Sequence, residues 1–211
     1  MAWAPDGGSL HYVRRLPPGS VPPGEEQFHR RVWRHRVGGS TDDDVLVHGE
    51  GSDPTTYFGV HTSRDGRWLV VSGSAGTAPR DDVWIADLAG TGELRDFQVG
   101  VDAQTAAWVA RDGRLWLMSD RDTPRWRLAV ADPAVPATWD PTAWQDVVPQ
   151  QPDAVLSEKG PTFKQTPEAK GEADRNRPRE TADYRRPEDC WGLHVWRHDP
   201  LDEEVVGRSL E

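Results

Sequence analysis

Serine, histidine and aspartate all occur in this 211-residue chain, and a triad of them could perform acyl transfer if the fold brought them together. Such chemistry needs a nucleophile elbow, Gly-x-Ser-x-Gly, in which a sharp strand-to-helix turn exposes the hydroxyl. No serine in the chain meets that pattern. Ser74, in Ser72-Gly-Ser-Ala-Gly76, comes nearest, with the later glycine and not the earlier one. Its place after an apolar stretch predicts an inter-strand loop, so no catalytic residue is expected. His194 and His198 stand four apart, a spacing that puts two imidazoles on one helical face for a metal. The intervening Val195-Trp196 favours a strand, where residues four apart lie about 13 Å from each other, too far for one ion. Both read as surface histidines, as does His35 in the similar Trp33-Arg-His35. Gly38-Gly39 and Gly73-Ser-Ala-Gly76 lack the lysine and helix of a phosphate loop. Neither a metal nor a cofactor is expected.

Composition narrows the function classes. Net charge is −10, and hydrophobic residues make up 36%. An acidic surface argues against a nucleic-acid partner, which requires clustered Lys and Arg. No apolar run approaches the roughly 18 residues of a membrane span, and the start Met1-Ala-Trp-Ala-Pro-Asp6 has neither the basic nor the apolar part of a signal peptide. Cys190 is the single cysteine, which excludes an intrachain disulfide and predicts a cytoplasmic setting.

The elements that would position any site are announced by three Asp-Gly pairs, at residues 6, 65 and 112, with spacings of 59 and 47. Each sits between a short strand pattern and a more apolar one, the signature of a hairpin. Recurrence at that period predicts a β-propeller with one such pair per blade. Four strands are expected in each of three units: Ala2–Ala4, Leu10–Val13, Arg31–Val37 and Val45–His48; then Tyr57–Thr62, Trp68–Ser72, Val83–Leu88 and Leu94–Val99; then Thr105–Val109, Leu115–Ser119, Arg125–Val130 and Trp144–Val148. Trp68-Leu-Val-Val71, Val83-Trp-Ile-Ala86 and Leu115-Trp-Leu-Met118 are apolar on both faces. That suits a sheet covered on both sides rather than a half-exposed one, which would alternate. Leu94-Arg-Asp-Phe-Gln-Val99 does alternate, as an outer strand should. The proline- and glycine-rich Leu16–Glu25 predicts a surface loop.

After Leu156 no Val, Ile, Leu or Met occurs until Leu193, and residues 158–190 hold 8 acidic and 8 basic residues among 33. Such a stretch buries too little apolar surface to offset chain entropy, which predicts a disordered linker. Residues 191–211 read as a β-hairpin or part of a further blade: Leu193-His-Val-Trp-Arg-His198 with Val205-Val206 echoes Arg31-Val-Trp-Arg-His35 with Thr41-Asp-Asp-Asp-Val-Leu-Val47. An unrelated end with chance similarity is the alternative. The fold class is thus all-β, with a partial propeller over 1–157.

Residues 1–157 resemble the propeller of the prolyl oligopeptidase family of serine peptidases. The likeness rests on ordered segments: Met1-Ala-Trp-Ala-Pro-Asp-Gly7 with Tyr12; Val32-Trp-Arg-His-Arg-Val-Gly38 with the acidic Thr41–Leu46; Phe58-Gly-Val60 with Ser63-Arg-Asp-Gly-Arg67; Val83-Trp-Ile-Ala-Asp-Leu88; Ser119–Leu128; Trp144–Pro149; and Asp153–Leu156. The resemblance implies a propeller stacked on an α/β-hydrolase domain that cleaves short peptides after proline, with the propeller restricting entry. It also implies that this chain resembles about three middle blades and lacks the hydrolase domain. A truncated gene, a shifted reading frame or a domain fragment would each give that pattern.

By the same resemblance, Phe58 and Thr77 match positions that border the peptide-binding pocket. Phe58 keeps the large apolar type, while Thr77 departs from the cysteine of some members. Ordinary blade packing is the alternative for Phe58. The partners implied are short proline-containing peptides and the hydrolase domain. Three blades cannot close a ring, so self-association through open blade faces is also expected. A free-standing peptide- or protein-binding module is the competing reading.

Overall fold

Strand order follows the chain. The computed structural model describes residues 1–157 and the strands at 194–198 and 205–209. Two units separate after Pro149: Met1–Pro149 and Gln150–Glu211. The first unit holds three four-stranded antiparallel sheets, each a meander in sequence order. Sheet one is β1 (Ala2–Trp3), β2 (Ser9–Arg15), β3 (Arg30–Arg36) and β4 (Val45–His48). Sheet two is β5 (Thr56–Thr62), β6 (Trp68–Ala75), β7 (Asp82–Asp87) and β8 (Arg95–Gln98). Sheet three is β9 (Thr105–Val109), β10 (Leu115–Ser119), β11 (Arg127–Ala131) and β12 (Gln145–Val148). In the second unit, β13 (Ala154–Ser157), β14 (His194–His198) and β15 (Val205–Ser209) pair antiparallel in that order. The linker predicted at 158–190 lies outside the described residues.

The all-β expectation and its three blades match the structure, with strand ends moved by up to three residues. One shift has a local cause. β11 begins at Arg127 because Trp126 (φ +67°) and Asp122 (φ +58°) are left-handed and interrupt extended pairing.

The three Asp-Gly hairpins share one construction. Gly7, Gly66 and Gly113 take φ of +67°, +72° and +77°. Their N–H groups donate to the carbonyls of Ala4 (2.9 Å), Ser63 (2.8 Å) and Ala110 (3.0 Å). Only the glycine is left-handed, so the aspartate's value lies elsewhere. Its carboxylate accepts the N–H two residues on: Gly8 to Asp6 at 2.8 Å, Arg67 to Asp65 at 3.1 Å, Arg114 to Asp112 at 3.0 Å.

Strands apolar on both faces are explained by what covers them. Leu69, Val71 and Ala86 pack with Val32 of sheet one, joined by Val13, Val47, Phe58, Val60 and Trp84. Trp68, Val70, Val83, Ile85 and Phe97 turn the other way and pack with Val109, Leu115, Leu117, Ala129, Trp139 and Trp144. Sheet two is therefore buried on both sides, and each of its fully buried aliphatic side chains contributes about 1.5–3 kcal/mol. The pairing of the last two strands slips at the same point in all three sheets, at Val32/Trp33, Val83/Trp84 and Leu128/Ala129. Each slip is a β-bulge that leaves one residue of the fourth strand without a partner. In sheet two that residue is Phe97, which enters the core beside Trp139 and Trp144 at centroid distances of 5.6 and 6.0 Å.

The hairpin ends of sheets one and two touch. An ideal Cβ on Gly66 would lie 2.3 Å from Pro5 Cδ, whereas one on Gly113 would meet nothing within 4 Å. Gly113→Ala is expected to cost about 1–2 kcal/mol for the left-handed backbone, and Gly66→Ala about 1–3 kcal/mol more for the clash. Urea unfolding of the two variants measures the difference; equal losses would remove the Pro5 contact from this picture.

Candidate functional site

Phe58 and Thr77 both lie toward the end of sheet two remote from its Asp-Gly hairpin. Phe58 pairs with Gly73 across β5 and β6. Thr77 is exposed in the turn that follows β6. The two segments are tied by Gly76 N–H donating to Thr55 O at 3.3 Å. The Phe58 ring is half-buried and stands edge-on to His48 of β4 at 5.5 Å, while His48 lies 4.2 Å from Trp84 of β7. A Cβ on Gly73 would come within 3.2 Å of the Phe58 ring and 3.1 Å of Trp84, so glycine is what lets these rings sit on the strand. Phe58 thus packs between sheets one and two, and Thr77 faces solvent.

The same end of sheet two is fastened to sheet three by polar groups. Gln98 Nε2 donates to Asp81 O at 3.1 Å, and Thr105 N–H donates to Asp81 Oδ2 at 3.2 Å. Thr105 and Ser119 share a hydrogen bond at 2.6 Å, and the Thr105 hydroxyl also reaches Gln98 Oε1 at 3.2 Å. Gln98, Thr105 and Ser119 are buried, and their mutual bonds remove the cost of burying them. On the other side, His29 N–H donates to Pro54 O at 2.8 Å, which holds the start of β3 against the start of β5. The Arg30 guanidinium crosses the same boundary and lies 3.9 Å over the ring of Tyr57.

A second constellation was not legible in the sequence. Tyr12 OH donates to Asp44, and His35 Nδ1 stands 2.7 Å from the other oxygen of the same carboxylate. The Tyr12 bond first, and His35 after it, hold the Asp44 carboxyl below its usual range. Burial first, and Asp44 second, push the Tyr12 hydroxyl up. His35 is therefore a hydrogen-bonding partner of Asp44 rather than the free surface histidine that its segment suggested. The group ties the start of β4 to β2 and β3, and the phenol keeps its proton.

Ser74, the nearest approach to an elbow, lies near the end of β6 rather than in the inter-strand loop expected for it, because it pairs with Tyr57. Its hydroxyl donates to Ala78 O (3.2 Å) and Arg80 O (3.0 Å) of the following loop. No cluster of metal-ligating side chains occurs among the described residues. His194 and His198 both lie on β14, a strand, as their neighbours predicted.

Comparison with known proteins places this geometry. A family model described as "Prolyl oligopeptidase, N-terminal beta-propeller domain" matches residues 1–165. The chain is 28% identical over 149 residues to a prolyl endopeptidase of Elizabethkingia meningoseptica, covering 70% of this chain and 20% of that protein. It is 24% identical over 169 residues to prolyl oligopeptidase A of Amanita bisporigera, covering 75% and 22%. Among solved structures, one from a study of two prolyl endopeptidases and their inter-domain dynamics has a TM-score of 0.64 at 28% identity, covering 74% of this chain and 22% of that one. Prolyl oligopeptidase B of Galerina marginata bound to a 25mer macrocyclization substrate has a TM-score of 0.62 at 19% identity, covering 74% and 22%. The chain spans about a fifth of the length of the relatives it matches.

The seam that carries Phe58 is sensitive to acid. His48 Nε2 and His11 Nδ1 are buried without hydrogen-bond partners. Burial first lowers both imidazoles; the Arg34 charge adds to this at His11, while Asp96 works against it at His48. The unfolded chain takes up these protons near the ordinary value of about 6.5, and the folded chain resists them. Stability is thus complete above that value and is lost as pH falls through it toward the folded-state values, by up to about 1.4 kcal/mol per pH unit for each proton. The urea midpoint is expected to fall between pH 7 and 5, and His48→Phe to make that slope shallower. An unchanged slope would exclude His48 as a source.

Proposed function

The chain belongs to the prolyl oligopeptidase family, within its N-terminal β-propeller domain, and from that premise we propose that it is the substrate-gating portion of a prolyl oligopeptidase-like serine endopeptidase. Its role is to meet short proline-containing peptides and control their approach to an α/β-hydrolase domain. The observation that carries this reading is the shared strand end. Phe58, Thr77, Tyr57 and Arg30 are brought there from two sheets, with no nucleophile among them. The binding of peptide substrates by a relative of like fold supports it.

This polypeptide binds and does not hydrolyse. Its sequence holds no Gly-x-Ser-x-Gly, and the hydroxyl of Ser74 is committed to two main-chain carbonyls. Without an elbow, neither the activated oxygen nor the oxyanion hole of acyl transfer is assembled. Self-association follows from sheet one. Leu10, Tyr12, Trp33 and Leu46 lie on one face of it, because Leu10 pairs with His35, Tyr12 with Trp33 and Trp33 with Leu46. Sheet two packs on the opposite face, through Val13 and Val32. A further blade, from a second copy or a longer polypeptide, is the natural cover for an apolar sheet face. The single cysteine fits a cytoplasmic setting.

A chromogenic prolyl-peptide substrate tests the assignment. The purified chain is expected to release no chromophore above background. Turnover abolished by a serine-directed inhibitor would overturn it.

A further inference from the structure

The end of sheet one beside Tyr57 carries an arrangement of charge that the fold alone does not explain. β2 and β3 place Arg15 directly opposite Arg30, and Arg14 directly opposite Arg31. Like charges facing each other across an antiparallel pair are destabilising. Two of the four have partners. Arg14 stacks 4.6 Å over Trp33, lies 3.5 Å from Asp44 and donates to Thr41 O. Arg31 donates to the main-chain carbonyl of Arg30 at 2.9 Å.

Arg15 and Arg30 have no carboxylate within ion-pair distance among the described residues. The nearby acids are committed elsewhere. Glu25 pairs with His29, Glu26 accepts from the Gly24 N–H, and Asp53 accepts from both the N–H and the hydroxyl of Thr55. Arg30 Nη1 is buried and makes no hydrogen bond. Its guanidinium is nevertheless placed, 3.9 Å over the ring of Tyr57, a residue that is 52% exposed. A guanidinium stacked on an aromatic face keeps its hydrogen-bonding edge free, and that edge matches a carboxylate in two parallel bonds. The net charge of −10 makes a paired cationic spot all the more distinct.

We propose that Arg30, seated on Tyr57 and backed by Arg15, anchors a carboxylate of the bound peptide at the strand end that carries Tyr57. The inference rests on the peptide-binding reading above and adds to it a preference for acidic ligands. The carboxylate comes either from the peptide C-terminus or from an Asp or Glu side chain, and both present the same two oxygens. Occupancy supplies the anion that relieves the Arg15–Arg30 opposition.

The experiment uses the full 211-residue chain and a dansyl-labelled tetrapeptide with one internal proline, titrated at low salt with anisotropy as the readout. Three forms are compared: free C-terminal carboxylate, C-terminal amide, and an amide carrying one Asp. One or both carboxylate forms are expected to bind about tenfold tighter than the neutral amide, the size of one charge-assisted hydrogen bond. Which form gains identifies the source. The preference is expected to vanish in Arg30→Gln and shrink in Arg15→Gln, and to be partly kept in Arg30→Lys. Arg15 is exposed, so Arg15→Gln decides the matter even if Arg30→Gln fails to fold. Equal affinity for all three forms overturns the anchor and leaves peptide binding intact; binding of none overturns both.

Discussion

Both faces of β6 and β7 have to be covered, and the rest of the molecule is arranged around that requirement. Trp68-Leu-Val-Val71 and Val83-Trp-Ile-Ala86 send side chains alternately toward sheet one and sheet three. A sheet of this kind has no solvent face, so it holds its shape only as the middle of three. The same constraint lines up the ends of the sheets. Gly66 presses on Pro5 at the hairpin end. At the other end His29 bonds Pro54, and Thr105 bonds Asp81. Residues far apart in sequence thereby meet at one end without a helix or a long loop to carry them.

Much of this was legible in the residues. Strand positions followed from apolar pattern and turn chemistry, and the two-faced strands foretold the sandwiching of sheet two. What was not legible depends on pairing between strands. The bulge that turns Phe97 into the core hides behind the alternation expected over Leu94–Val99, although the adjacent Arg95 and Asp96 break a period of two at the slip. The Asp-Gly pairs announce the hairpins, but the division of labour within them is visible only in the structure, where glycine alone takes positive φ and aspartate is a hydrogen-bond acceptor. Asp44 sits in an acidic run that suggested only a turn, and its bonds to Tyr12 and His35 exist because β2, β3 and β4 are neighbours. Arg15 and Arg30 are ordinary arginines until the register sets them face to face.

Phe58 and Thr77, the two positions proposed to meet a peptide, differ in how the fold holds them. Phe58 has its ring against His48, with Trp84 behind, so its position is fixed by the seam between two sheets. Thr77 lies in a loop held by Ser74 and by Gly76 bonding Thr55. A rigid scaffold under an exposed loop is the usual way binding groups are presented. The nucleophile needed for peptide hydrolysis is missing from this scaffold, and the chain spans about a fifth of the relatives' length. Under the proposed function, contact with the peptide falls to this scaffold and its cleavage to a hydrolase domain.

Backbone amide shifts in the labelled chain, followed while a short proline-containing peptide is added, test that assignment most directly. The account predicts saturable shifts at Tyr57, Phe58 and the Thr77 turn, with the hairpins at Gly66 and Gly113 unmoved. Shifts centred on those hairpins, or no saturable shift at any concentration, would contradict it.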